Sequence, residues 1–453
     1  YQHAIETMYR EREQYLASVD SALGTLDKTF RDTDDFSSLL PKLTPKVTMS
    51  LRHRQLFVDV SAIVITDLKS GIERVVRAQL LELLKNPPDN CRIEPVYLYH
   101  SQGKWNFHYA RNYAWTLLDI PGAPPADEKV DFANGDILYM PDLNAHSVIE
   151  AHKDNLFQSL KASGVNCHVL IHDILPVTHP EYFPPQAKSG HETWMQAITE
   201  FADQVICISH AVATQYQTWL TANQSMFSKL PKVSVNYHGS NISASKPSTG
   251  IPGRGKKILK RISEAPTFLM VGTIEPRKGH LEALSAFNAL WQSGEDVTLI
   301  IVGKEGWKNL PTSERRTIPQ LVKQLDLHPQ RNKKLFWLAD ISDEFLEAIY
   351  NASDCLVAAS FDEGFGLPII EATDYGLSII ARDIPVFREV ANTNSFYFDS
   401  SDKSLEAVLR AWLSDYHQDA IKTSKELASR SWKDNVGALK DLLSVNSQDI
   451  KSL

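Results

Sequence analysis

The sequence predicts an α/β protein made of two doubly wound, Rossmann-like parallel-sheet domains, preceded by a helical, coiled-coil-like extension. Three observations carry that prediction. Short runs that are apolar on both faces alternate with amphipathic segments, as the strands of a sheet buried on both sides do. The alternation occurs twice, on either side of a stretch rich in Gly, Ser, Pro and Lys between Tyr237 and Pro266. With 453 residues, 43% of them apolar and 23% charged, the chain is also long enough to bury more than one core.

Taken in order, the first thirty residues place Ile5, Tyr9, Arg12, Leu16, Val19, Leu23, Leu26 and Phe30 at alternating steps of four and three, which is a heptad seam. Arg12 interrupts the seam and Gly24 weakens it; a short self-associating coiled coil and a helix docked on the next domain both satisfy the spacing. Residues 31–52, with Asp-Thr-Asp-Asp, Ser-Ser and two prolines, read as a linker. The first strand series is LFVDV (56–60), IEPVYLY (93–99), DILYM (136–140), CHVLIHD (167–173), QVICIS (204–209) and VSVNY (233–237). The second is TFLMVG (267–272), VTLIIVG (297–303), KLFWL (334–338), DCLVAAS (354–360) and LSIIA (377–381). The segments are therefore a helix and linker over 1–50, a first domain over 51–240, a linker over 241–265, a second domain over 266–430 and a terminal helix over 431–453. The basic run from Arg254 to Arg261 reads as solvated linker, with contact to a lipid phosphate as the sharper alternative. The start at Tyr1 suggests a module cut from a larger polymer-building protein.

Charge and cysteine usage exclude several classes. The formal net charge of −8, from 55 acids against 47 bases, leaves no chain-wide basic field for nucleic acid, so an anionic ligand needs a local site. Cys91, Cys167, Cys207 and Cys355 lie far apart with no Cys-x-x-Cys pair and read as reduced core residues, which predicts a cytoplasmic protein. No apolar run approaches the roughly 18 residues of a membrane span, so any membrane contact is expected to be peripheral, on the inner face.

In open parallel sheets, ligands bind outside the carboxyl ends of the strands. The loop after 267–272 reads Gly272-Thr-Ile-Glu-Pro-Arg277-Lys278-Gly279 and opens a helix near His280. Helix amides, an Arg fork and a Lys point charge together suit a diphosphate; a solvated turn with two surface charges is the plainer reading. The loop Glu363-Gly364-Phe365-Gly366-Leu367-Pro368 runs into a helix that carries Glu371 and is capped by Gly376. Its glycines permit close approach of backbone amides to ligand hydroxyls, and its two carboxylates can accept from sugar hydroxyls. For Glu371, simple complementarity with the helix dipole is the plainer reading. There is no P-loop and no Gly-x-Gly-x-x-Gly, which excludes a hydride-transferring dinucleotide enzyme.

Gly272 to Gly279 and Glu363-Gly-Phe-Gly-Leu-Pro-Ile-Ile-Glu371 resemble the signature loops of glycosyltransferase family 4, retaining enzymes of GT-B fold, over roughly residues 55–446. The resemblance implies two Rossmann-like domains facing across a cleft, the first for the acceptor and the second for a nucleotide-sugar donor. It implies that Arg277 and Lys278 hold the donor diphosphate, that Glu363 lies near the donor hexose with the amides of Gly364, Phe365 and Gly366 and with Leu367, and that Glu371 binds the ribose. In the first domain, Ser70-Gly71-Ile72-Glu73-Arg74 resembles the glycine loop over the phosphates, His172-Asp173 the loop facing the sugar, and Ser209-His210 the serine turn before the next helix. A histidine after an apolar strand also serves as a satisfied core group; the strand-end position of His172 favours the cleft. Ile-His-Asp-Ile-Leu-Pro with Pro180-Glu-Tyr-Phe183 shapes acceptor binding or only packs, and Gly303 to Trp307 is placed to line the nucleotide pocket.

A retaining hexosyltransferase acting on a glycan or lipid-linked acceptor follows from the resemblance. No Asp-x-Asp stands in a strand-end loop, and two cations are in place for the leaving phosphate, so no cofactor and no obligatory metal are expected. GDP-mannose leads as donor by resemblance to bacterial polysaccharide mannosyltransferases, with UDP- and dTDP-sugars open. A nucleotide-sugar epimerase and a non-catalytic nucleotide-sugar-binding scaffold are the competing readings.

Overall fold

The computed structural model describes residues 54–66, 71–89, 91–240, 250–262, 264–391, 395–399, 403–421 and 431–443. The heptad segment and Ser70 lie outside them. Two sheets organise the described chain. The first has seven strands in the order β3-β2-β1-β4-β5-β6-β7: β1 is Arg54–Asp59, β2 Cys91–Ser101, β3 Lys104–Tyr109, β4 Ile137–Met140, β5 Asn166–Ile171, β6 Gln204–Cys207 and β7 Lys232–Val235. The second has six in the order β10-β9-β8-β11-β12-β13: β8 is Thr267–Val271, β9 Thr298–Val302, β10 Leu335–Leu338, β11 Cys355–Ala358, β12 Ser378–Arg382 and β13 Phe396–Phe398. All pairings are parallel except β2 with β3. These are the two Rossmann-like domains of a GT-B fold.

The central strands are apolar on both faces because helices cover both. Leu56, Phe57 and Val58 of β1, and Leu299, Ile300 and Ile301 of β9, are all fully buried. Each such side chain stabilises the fold by about 1.5–3 kcal/mol relative to exposure. Two strands escaped the sequence reading: β3, where polar and aromatic residues alternate at a sheet edge, and β13, which has only three residues.

The basic run departs from expectation. Gly253–Ile262 is an α-helix, not a solvated linker, because Ile258 and Ile262 repeat at helical spacing and both are buried. They pack with Phe345 of the helix Asp343–Ala352, leaving the lysines outward.

Chain crossings between the domains meet at one place. After β7 the backbone at Gly239 passes so close to Ser431 and Trp432 that a Cβ on Gly239 would overlap Trp432 backbone atoms. The helix Trp432–Leu443 then lies on the first domain against the helix Gly71–Lys85. Asn435 fixes it there: its Nδ2 donates to the Tyr237 carbonyl (2.7 Å) and its Oδ1 accepts from Gln79 (3.0 Å), which in turn accepts from Tyr139 (2.8 Å). A buried network with its polar groups paired specifies one docking geometry.

Candidate active site

The two charged glycine loops of the second domain follow β8 and β11. Arg277 and Lys278 occupy a 3-10 turn, Pro276–Lys278, that the chain leaves through Gly279 in the left-handed region (φ 70°). Any Cβ there would strike the Ala359 carbonyl, so the turn that aims the two cations requires glycine. The helix His280–Gln292 starts immediately after, and the Phe361 amide donates to the Arg277 carbonyl (2.8 Å), clamping one loop to the other.

Glu363 is the focus of this arrangement. Its Oε2 accepts from Arg277 Nη1 at 2.6 Å, and its Oε1 accepts from Lys278 Nζ and from Ser360 Oγ at 2.7 Å. Burial opposes its ionisation, yet the charges of Arg277 and Lys278 more than offset that and bring its pKa down to about 2. Burial likewise works against Arg277, and Glu363, Glu275 and Asp173 outweigh it and hold the guanidinium firmly charged. One carboxylate thus bridges two adjacent cations beside a helix N-terminus, and Glu275 also accepts from Arg277 Nε (3.1 Å).

Glu371 lies deeper, 3% exposed, in the helix Leu367–Asp374. It falls beyond the first turn, so complementarity with the helix dipole, the plainer sequence reading, does not describe it. Its partners do: Oε1 accepts from Arg74 Nη1 across the domain boundary at 2.8 Å, and Oε2 accepts from the Tyr350 hydroxyl at 2.7 Å. Arg74 belongs to the helix that begins at Gly71, and its other nitrogen stands 3.6 Å from Asp343. Gly71 itself is exposed at that helix start.

In the first domain, His172 sits just past β5, 7% exposed. Its Nε2 donates to the Pro141 carbonyl at 2.7 Å, which places the remaining lone pair on Nδ1, and burial lowers its pKa. His172 is therefore a packed, hydrogen-bonded side chain whose own backbone carbonyl lies against the Gly364 loop. Its ring lies 5.9 Å from His238, whose two ring nitrogens are buried without a hydrogen-bond partner; burial and the neighbouring His172 push the His238 pKa well down. Asp173 accepts from the Leu175 amide (3.1 Å). A Cβ on Gly364 would overlap the His172 carbonyl, so the two loops touch because residue 364 has no side chain. Ser209 caps the helix His210–Asn223 by accepting from the Val212 amide (3.1 Å), and its hydroxyl donates to the Gly364 carbonyl (2.7 Å). Phe365 is buried against His238 (5.2 Å), Gly366 is left-handed (φ 88°) and Leu367 begins the next helix.

Several contributors were not legible beforehand. Glu389 of the second domain accepts from the amides of His210 (2.6 Å) and Ala211 (3.0 Å), placing a carboxylate on a helix N-terminus of the first. Asp362 accepts from Gln215 (2.9 Å) and meets His179 (3.1 Å). Tyr182 stacks on Phe361 at 5.1 Å, and the Arg382 guanidinium lies over the Phe361 ring at 4.2 Å. Arg316 donates to the Phe183 carbonyl at 2.7 Å. The Pro180–Phe183 segment, left open between acceptor binding and packing, thus also bridges the domains. An aromatic and an acid next to a glycine loop were the available sequence signals at 361 and 362; nothing local marks Glu389 or Arg316.

The arrangement can hold a nucleoside diphosphate on two cations and helix amides, present carboxylates to hydroxyls, and bring a second domain's histidine loop against the same point. Comparisons with known proteins agree with that chemistry. Residues 255–430 match the family described as glycosyl transferases group 1. The chain is 40% identical to the serotype-specific mannosyltransferase WbdA of Escherichia coli over 84% of this chain and 45% of that protein. It is 24% identical to the O-antigen chain mannosyltransferase RfbU of Salmonella typhimurium over 58% of this chain and 62% of that one. It spans about half the length of WbdA. Among solved structures, Anabaena Alr3699/HepE in complex with UDP-glucose superposes with a TM-score of 0.56 at 16% identity, covering 88% of this chain and 100% of that one.

Proposed function

We propose, from a glycosyl transferases group 1 domain set in a GT-B fold, that the chain is a retaining mannosyltransferase. In this reading it moves mannose from GDP-mannose to a saccharide or lipid-linked glycan acceptor in the synthesis of a bacterial surface polysaccharide. The observation that carries the reading is the convergence of Arg277 and Lys278 on Glu363 beside a helix N-terminus, directly against the His172 loop. The mannosyltransferase names of WbdA and RfbU support the choice of sugar.

In the proposed reaction the bond between the anomeric carbon and the β-phosphate oxygen breaks as the acceptor hydroxyl oxygen bonds to that carbon on the same face. The hydroxyl proton passes to the departing phosphate oxygen. Arg277, Lys278 and the amides at the start of His280–Gln292 stabilise the negative charge that develops there, which is usually the largest electrostatic contribution. Glu363, displaced from its cations by the diphosphate, turns to the hexose hydroxyls with the amides of Gly364, Phe365 and Gly366. Glu371 accepts from the ribose. The cations take the part of a divalent ion, so transfer proceeds in EDTA. Closure of the domains excludes water and limits donor hydrolysis. We place the enzyme in the cytoplasm, at the inner membrane face, where a lipid-linked acceptor is met; residues 1–30 serve self-association or partner contact.

The test is a thermal-shift series with GDP-, UDP-, dTDP- and ADP-sugars in EDTA, followed by transfer of labelled sugar to mannosyl acceptors. A selective rise in melting temperature with GDP-mannose is expected, abolished in Lys278→Ala. A shift without any transfer to any acceptor assigns a binding scaffold instead, and no shift with any nucleotide sugar overturns the reading.

A further inference from the structure

We propose that the outward face of the β2–β3 hairpin, built by Tyr97, Tyr99 and His108, is a subsite for the sugar rings of a neutral acceptor glycan, remote from the hydroxyl that reacts. The inference rests on the glycosyl-transfer reading and adds to it where the acceptor chain lies.

The topology comes first. β2 pairs with β1 up to Asp59 opposite Val96, then continues alone with β3 for five further residues, 97–101. At roughly 3.3 Å per residue the hairpin projects about 16 Å past the carboxyl edge of the sheet. That edge carries His172 and the cleft. Period-two alternation sorts the hairpin's side chains: Val96, Leu98, Phe107 and Tyr109 are buried on the core side. The opposite face receives Tyr97 across from His108 and Tyr99 across from Asn106.

On that outer face the rings form one surface. Tyr99 is 44% exposed and its ring lies 4.6 Å from His108 and 6.2 Å from Tyr97, with His108 6.1 Å from Tyr97. Tyr97 is held in place by a hydrogen bond to Asp127. A cluster of aromatic rings with polar tips, Tyr99 exposed and Tyr97 and His108 half-buried, costs little side-chain entropy on binding and suits a recognition surface. Sugar rings offer the complement: C–H faces for the rings and hydroxyls for the tips. Nucleobases also stack on aromatics, but they bring phosphates, and residues 97–108 contain a single Lys and no Arg.

The platform is joined to the site by hydrogen bonds. His172 donates to the Pro141 carbonyl, and the next residue, Asp142, accepts from the amides of Ala62 (2.7 Å) and Ile63 (3.0 Å). Ser61 accepts from the Leu98 amide (2.8 Å), one residue before Tyr99. An acceptor whose terminal hydroxyl reaches the donor beside His172 can thus run outward along the strand-end rim to the hairpin.

The experiment is calorimetric titration of the full chain with linear manno-oligosaccharides of one to six units, in the wild type and in Tyr99→Ala, His108→Ala and Tyr99→Trp, alongside titration with GDP. The inference expects affinity to rise with oligosaccharide length. It expects about a five-fold or greater loss for the longer chains in both alanine variants, retention in Tyr99→Trp, and the same GDP affinity in all four. A melting scan reports whether each variant folds; were an alanine variant to unfold, the comparison of wild type with Tyr99→Trp and of short with long chains still decides. Affinity that is independent of length, or equal in Tyr99→Ala and wild type, overturns the subsite while GDP binding leaves the donor reading standing. A change in sedimentation of Tyr99→Ala without a change in oligosaccharide affinity assigns the face to protein contact and likewise overturns it. Loss of GDP binding in the wild type defeats the donor reading itself.

Discussion

The Ser209 hydroxyl donates to the carbonyl of Gly364 at 2.7 Å, a bond from the capping residue of a first-domain helix to the donor loop of the second. Its oxygen at the same time accepts from the Val212 amide. One side chain thus ties helix formation to cleft closure. Ser209→Ala removes both bonds and is expected to cost about 1 kcal/mol from the cap alone and to lower kcat/KM several-fold. Ser209→Gly, a tolerated cap residue that also lacks the hydroxyl, should recover much of the melting temperature without recovering activity. Equal recovery of both would show that the hydroxyl acts only as a cap.

Glu363→Gln separates the roles of the charges around it. Without the carboxylate, half-buried Lys278 loses its Glu363 partner and Arg277 keeps only the pairing with Glu275 among those two acids, a loss of up to roughly 3–5 kcal/mol. An anion that fills the gap is then worth more. The expected outcome is a lower melting temperature, a larger stabilisation by GDP than in the wild type, and loss of transfer. Lys278→Ala should instead weaken GDP binding and reduce kcat by about 100-fold or more. Melting curves with and without GDP check both; a GDP shift smaller in Glu363→Gln than in the wild type contradicts the account.

The two domains were legible because the signal is local: runs such as LIIV and VICI, buried on both faces, have little freedom to be anything but central parallel strands. The two strand-end glycine loops that meet at Glu363 were legible because their glycines and charges are contiguous. What the sequence concealed is non-local. Arg74 and Glu371 are 297 residues apart and Glu389 and His210 179 apart, and no periodicity links them. The helix Gly253–Ile262 was obscured by its composition, since Lys and Arg on its outer face outnumber the two isoleucines that decide its packing. His238 gave no sign either, because its buried, unpaired state arises only where Phe365 and Trp432 close over it.

Arg74 carries its own prediction. It supplies the cation for a carboxylate that is 3% exposed and reaches it from the other domain. Arg74→Ala leaves Glu371 with only the Tyr350 hydroxyl, and a hydrogen bond to a charged group is worth about 1.5–3 kcal/mol. Nucleotide affinity should fall about ten-fold, because the carboxylate proposed to receive the ribose is no longer held in place from the first domain. Arg74→Lys cannot span Glu371 and Asp343 together and should recover only part of the loss. Calorimetric titration with GDP decides; unchanged affinity in Arg74→Ala removes Arg74 from the nucleotide site.

Asp59 sets an alkaline limit on stability. It ends β1 fully buried, with one oxygen accepting from the Ser61 amide and hydroxyl and the other unpartnered. Burial, and then the Asp142 carboxylate, push its pKa up to about 8 from an ordinary 3.8. Glu73, also buried, adds to the acidic surroundings of Asp142, whose own pKa burial raises. The folded chain therefore binds the Asp59 proton more tightly than the unfolded chain. Its contribution is fully present below the unfolded value and is lost progressively up to about pH 8, at most about 1.4 kcal/mol per pH unit. The wild type should melt lower at about pH 8 than at about pH 5. Asp59→Asn keeps the oxygen that accepts from Ser61 and removes the titration, so it should flatten this slope and melt above the wild type at the higher pH. Parallel melting profiles for the two proteins would show that another group governs the alkaline side.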